Sequence, residues 1–91
     1  MSSKTLPHKN IVMLQDIIEN YYEEEFLIAN GFDDAVIGVD ETSMRLIYSV
    51  SKCLEILGKD MDEEDAMEYF THNVSGAWMG DKTPIWCWDN F

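Results

Sequence analysis

Basic residues are the scarcest class in this chain relative to need: six Lys and Arg stand against eighteen Asp and Glu, leaving a formal net charge of -12. Charge of that sign on a small surface repels nucleic-acid phosphates, which argues against direct DNA or RNA binding. The same field draws in basic surfaces and speeds encounter with them, so a basic protein is the expected kind of partner. Cysteine is sparse too. Cys53 and Cys87 are far apart and belong to no CxxC pair, so the expectation is two reduced thiols in a cytosol-like compartment rather than a disulfide framework. The opening MSSKTLPHK has no apolar run of the secretory kind, and no apolar stretch approaches the roughly 20 residues of a spanning helix. No membrane attachment and a cytoplasmic location are expected. Gly76 and Gly80 lack the Lys-Ser or Lys-Thr of a phosphate-binding loop.

What is present is enough for one folding unit. At 91 residues, 46% of them hydrophobic and three of them Trp, the chain suits a single core that needs no metal or disulfide staple. Residues 1–9 carry no periodicity and read as a flexible arm, leaving 10–91 as a single α+β domain. From Asn10, a candidate N-cap, apolar positions at Ile11, Leu14, Ile18, Tyr21 or Tyr22 and Ile28 recur at helical spacing up to a stop at Gly31. AVIGVD and MRLIYSV, separated by ETS, read as a hairpin in which Gly38 marks either a bulge or room for a packed side chain. Ser49 or Ser51 caps a short helix that buries Val50, Cys53, Leu54 and Leu57 and ends near Gly58. Asp62 opens the next helix by accepting from the Asp65 N-H, with the acids of DEED at the positive helix end and Ala66, Phe70 and Val74 inward. Gly76, Gly80 and Pro84 break the chain before a closing strand from about Ile85 to Trp88. The expected fold is α+β: three helices on one face of a three-stranded, mainly antiparallel sheet, in the order α-β-β-α-α-β.

The string GAWMGDKTPIWCWD, together with the helix EEDAMEYFTHNVSG and the hairpin GFDDAVIGVDETSMRLIYSV, resembles a group of small acidic hypothetical proteins of tailed bacteriophages and related metagenomic sequences. The resembling features are Tyr48 and Lys52 at a helix start, Asp65, Ala66, Asn73, Val74, Gly76 and Ala77 along a helix end, and the strand Thr83, Pro84, Ile85. They span roughly residues 31–89 and leave the first helix out. The resemblance implies a phage-like origin, hence host cytosol, and carries no activity. Trp86 and Trp88 depart from the group's plainer closing strand.

Four constellations carry candidate chemistry. Asp60, Asp62 and Glu64 alternate as in a calcium loop, but Asp65 stands where that loop needs Gly and Thr71 where it needs a bidentate Glu; helix capping explains the same acids. Glu68 and His72, four apart on one helix face, fit a surface ion pair better than a metal or acid-base site, because no third ligand accompanies them. The two cysteines lack an activating base and read as small hydrophobes. No catalytic residue, metal or cofactor is expected. The acids of the first half have no basic residue among them between Asp16 and Glu41. They read either as a solvated face or, with others, as a phosphate-mimicking surface. The partner-binding candidates are Glu19, Glu23, Glu24, Asp33, Asp34, Asp62 and Glu63, joined by Trp86 and Trp88, whose strand is apolar on both faces. One of those faces belongs either to a partner or second copy, or to the first helix or Phe91. The expected function is a non-enzymatic acidic interaction module that masks a basic, nucleic-acid-binding surface. The alternative is a structural or self-assembling protein whose apolar sheet face makes a homodimer.

Overall fold

The computed structural model describes residues 9–77 and 79–90, residues 9–12 by backbone alone, and has the α+β order α-β-β-α-α-β that the sequence pattern implies. Helix α1 covers Lys9–Asn20, strands β1 and β2 cover Val36–Asp40 and Arg45–Ser49, α2 covers Val50–Leu57, α3 covers Glu63–Tyr69, and β3 covers Ile85–Cys87. Among the described residues no helix is long and apolar enough to cross a membrane. The expected arm at 1–9 and the candidate cover Phe91 lie outside the described residues, apart from Lys9 at the start of α1.

The sheet order is β1-β2-β3. β1 and β2 form the expected antiparallel hairpin, and the register slips between Val36 and Gly38, so Gly38 marks a bulge rather than a packing gap. β3 runs parallel to β2, pairing Tyr48 with Trp86. The sheet is therefore mixed, not mainly antiparallel. The physical reason is the connection: the chain leaves β2 straight into α2, crosses over through α3 and returns in the same direction, as a helical crossover does.

Helix α1 is shorter than the apolar spacing suggests. It begins at Lys9, so Asn10 is inside it rather than capping it, and it ends at Asn20 rather than near Gly31. Continuation would bring Glu19 and Glu23 four apart onto one helix face, where like charges repel. The chain instead turns inward, Tyr21 meeting Phe26 edge to face at 6.4 Å. Residues 29–32 then form a tight turn closed by Phe32 N-H to Ala29 O, with Gly31 at φ +92°, a conformation other residues adopt at a cost.

The two later helices start as their sequences say. Lys52 N-H donates to Ser49 Oγ at 3.2 Å and Asp65 N-H donates to Asp62 Oδ1 at 2.8 Å. The start of α2 has a second, long-range cap: Ser51 N-H donates to Asp89 Oδ1 and Ser49 Oγ donates to Asp89 Oδ2, at 2.9 and 2.7 Å. Those bonds hold the Asp89 carboxyl below its usual pKa of 3.8. They also anchor the chain just past β3.

Leu46 and Tyr48 alternate toward one face of the sheet and join Val36, Val50, Cys53, Phe70, Leu14, Ile17 and Phe32 in one buried cluster. Ala66 and Phe70 are buried as expected, while Val74, Leu54 and Leu57 pack on the cluster only half-buried. Trp86 and Trp88 share that face, both meeting Phe70 edge to face at 5.4 and 5.7 Å. Ile47, Ile85 and Cys87 occupy the opposite face, outside the cluster and half-buried.

Candidate functional site

Two features stand out on the surface: exposed carboxylates with few partners, and an apolar cleft on which four chain segments converge. Every Asp and Glu side chain is exposed except the half-buried Asp40. Asp40 is spent on the hairpin turn, accepting from Ser43 Oγ at 2.7 Å. Among the described residues the one ion pair is Lys82–Glu24, at 3.4 Å on the surface, a pair worth well under about 1 kcal/mol.

The candidate acids fall into separate groups. Glu23 and Glu24 lie beyond α1, where Tyr21 O-H donates to Glu41 Oε2 at 2.7 Å, a bond that raises the tyrosine pKa. Glu19 is exposed on the last turn of α1, and Asp33 and Asp34 form the first turn of a short 3-10 helix leading into β1. Asp62 and Glu63 border a depression together with Glu55. Basic residues are not excluded from all of this surface: Lys52 and Lys59 share a shallow depression with Asp34 and Glu55. Of the two Trp candidates, Trp88 is 44% exposed, whereas Trp86 is half-buried against Tyr48 and Phe70 and belongs to the inner wall of the molecule.

The cleft has a volume of about 510 Å³ and is walled by the 28–32 turn, the end of α2, the helix following α3 and Trp86. Its wall depends on one buried hydroxyl. Ala29 N-H donates to Tyr48 Oη at 2.8 Å, tying the turn to the central strand. Burial pushes the Tyr48 pKa up to about 12. A second loop is fixed by Thr83, whose hydroxyl donates to Gly80 O at 2.6 Å and accepts from Met79 N-H at 2.8 Å, setting Met79 at the cleft edge. The helix after α3 widens into a π-turn over Phe70–Val74, closed by Ser75 N-H to Phe70 O. Turns of this kind are enriched at binding and catalytic sites. Here it carries Asn73 and Val74 into the cleft wall.

The cleft floor includes the buried Ala29 and Phe32, while Ile28, Tyr69 and Met79 on its edge are 37%, 45% and 45% exposed. An adjoining depression of about 470 Å³ shares Met61, Tyr69 and Asn73 with it and adds Asp65, Glu68 and His72. The Trp86 indole N-H is buried with no hydrogen-bond partner among the described residues, an arrangement that costs about 1–3 kcal/mol. Met61, Tyr69 and Met79 are not among the partner-binding candidates that the sequence offers. The signal available was weak: two methionines and a tyrosine in segments that each read as ordinary helix edge or turn.

The expected Glu68–His72 ion pair does not form; both side chains are exposed and no bond joins them. Among the described residues no group of three or more His, Cys, Asp or Glu is placed to hold a metal ion. Cys53 is fully buried, and burial pushes its thiol up to about 12, far from a reactive thiolate. Cys87 is half-buried on the outer sheet face rather than fully enclosed.

No protein-family model matches this chain, and neither a curated protein nor a solved structure matches it.

Proposed function

We propose that this chain is a non-enzymatic, cytoplasmic protein-interaction module of phage-like origin, which uses its carboxylate surface to occupy the basic, nucleic-acid-binding surface of another protein. The observation that carries the reading is the combination of near-complete carboxylate exposure with a single, weak ion pair among the described residues. A fold that used its acids for its own stability would pair or bury more of them. Left unpaired at a net charge of -12, they repel one another and are satisfied by an external cation. The testing experiment is capture by the immobilised chain from host lysate at low and high salt. The reading expects proteins with a basic footprint, pI above about 9, to be retained at low salt and released at high salt. Retention with no bias toward basic proteins contradicts it.

A second reading has its own observation. Ile47 and Ile85 are register partners on the outer sheet face, beside Gly38 and Cys87, and the buried cluster does not include them. Homodimerisation through that face gives a solution mass of two chains that Ile85→Lys reduces to one. The decisive position is Ile85 rather than Trp86 or Trp88, because both tryptophans face Phe70.

A further inference from the structure

Three of the large apolar side chains exposed on this molecule, Ile28, Tyr69 and Met79, stand around one concavity, and they come from three different segments of the chain. Scattered exposed hydrophobes are ordinary; a set gathered around an apolar hollow marks a contact surface. The hollow is about 510 Å³, within the range of roughly 300–1,000 Å³ that encloses a small ligand or a few anchoring side chains. A small molecule on its floor leaves the exposed edge in water. A macromolecular segment covers both floor and edge.

The chemistry of that segment follows from the lining. Met61 and Met79 are unbranched and adaptable, suited to apolar anchors of varied shape. Among the described residues neither the cleft nor the adjoining depression has a Lys or Arg in its lining, whereas Asp60 borders the first and Asp65 and Glu68 border the second. All three carboxylates are exposed. An apolar cleft with a more polar, acid-lined depression beside it is complementary to a helix with an apolar stripe and basic flanks. A second copy of this chain is a poor occupant, since it brings its own charge of -12 against the same acids.

We propose that this cleft is the anchoring site for an amphipathic, basic helix of the partner protein, its apolar residues entering beside Met61, Tyr69 and Met79 and its lysines or arginines meeting Asp60, Asp65 and Glu68. This rests on the reading above, that the partner is a basic protein, and states where and by what it is gripped. Charge brings the partner in and the cleft selects its apolar stripe.

The test uses the full chain and two synthetic peptides of about 18 residues, long enough for helix formation. One has leucines at helical spacing and lysines elsewhere. The other has the same composition scrambled so that no apolar stripe forms. Titration by fluorescence anisotropy at about 0.15 M ionic strength is expected to show the amphipathic peptide binding at least about tenfold tighter, a difference of about 1.4 kcal/mol. Ile28→Ser with Met79→Ser is expected to erase that preference while leaving scrambled-peptide binding unchanged. Both positions are exposed, and backbone amide shifts on the unaltered chain give an independent footprint, expected at residues 60–61, 69–73 and 79. Equal binding of the two peptides overturns the cleft assignment and leaves the acidic-surface reading standing. Binding of neither peptide, even at low salt, overturns both. A dimeric chain made monomeric by the two serines shows that a second copy occupies the cleft, which also overturns the proposal.

Discussion

Removing one oxygen from the core should loosen both the fold and the cleft. Tyr48 is fully buried on the central strand, and its hydroxyl accepts the Ala29 N-H at 2.8 Å. Tyr48→Phe keeps the ring and its tilted contact with Trp86 at 5.2 Å, so the packing contribution is largely retained. The buried amide, however, loses its acceptor, and a buried donor left unpaired costs about 1–3 kcal/mol. With a urea m-value of about 1–3 kcal/mol/M, the unfolding midpoint should fall by on the order of 1 M with m unchanged. The same loss should appear locally. Amide hydrogen exchange at Ala29 should accelerate by about 5- to 150-fold, because each 1.36 kcal/mol is a factor of ten, and binding of an amphipathic peptide should weaken as the 28–32 wall moves. A stability change below about 0.5 kcal/mol, with Ala29 exchange unaltered, would refute the claim that this hydroxyl holds the wall in place.

Alkaline pH should unfold the protein ahead of general base damage. Cys53 and Tyr48 have pKa values raised from 9.0 and 10.0 to about 12 in the folded chain. The unfolded chain releases these protons first, so their contribution is intact below about pH 9 and is lost progressively up to about pH 12. A pH series of urea midpoints should decline across that window, and Cys53→Ala should flatten its lower part. Gly76→Ala should cost about 1–3 kcal/mol, because a Cβ there meets the Thr71 carbonyl oxygen at 2.7 Å, a backbone atom that the π-turn cannot move aside; thermal melts of the two chains settle it. Raising ionic strength from low salt to about 0.15 M, where the Debye length is about 8 Å, should raise the melting temperature. Unpaired acids then repel less, while the surface ion pair Lys82–Glu24 has little to lose. An unchanged or lower melting temperature contradicts the view that these carboxylates are in mutual conflict.

Local signals were legible in the sequence, and those set by distant chain were not. Asp62 and Ser49 were readable as caps because a cap needs only a side chain and an amide three residues on. Tyr48, by contrast, acts at a distance, pinning the 28–32 turn through its hydroxyl. Ile28 misled, since its spacing continued the α1 pattern; Glu19 and Glu23, like charges four apart, were the counter-signal. The direction of β3 was not written in its own residues, being fixed by the crossover through α2 and α3. Exposure of the acids was expected from their number, but their grouping with Lys52, Lys59 and Lys82 depends on how the helices pack. The cleft was illegible for the same reason, as Ile28, Met61, Tyr69 and Met79 become neighbours only when four segments meet.

The most direct test of the central claim, that exposed carboxylates form a binding surface for a basic protein, is the slope of log affinity against log salt. It should be measured for this chain and a purified lysine- and arginine-rich nucleic-acid-binding partner, with duplex DNA as competitor. The account predicts affinity that falls steeply between about 50 and about 200 mM salt and DNA released as the chain is added. It also predicts a shallower slope for Asp62→Asn with Glu63→Gln, a variant that keeps a competent helix cap. Affinity indifferent to salt, with the DNA left in place, would contradict it.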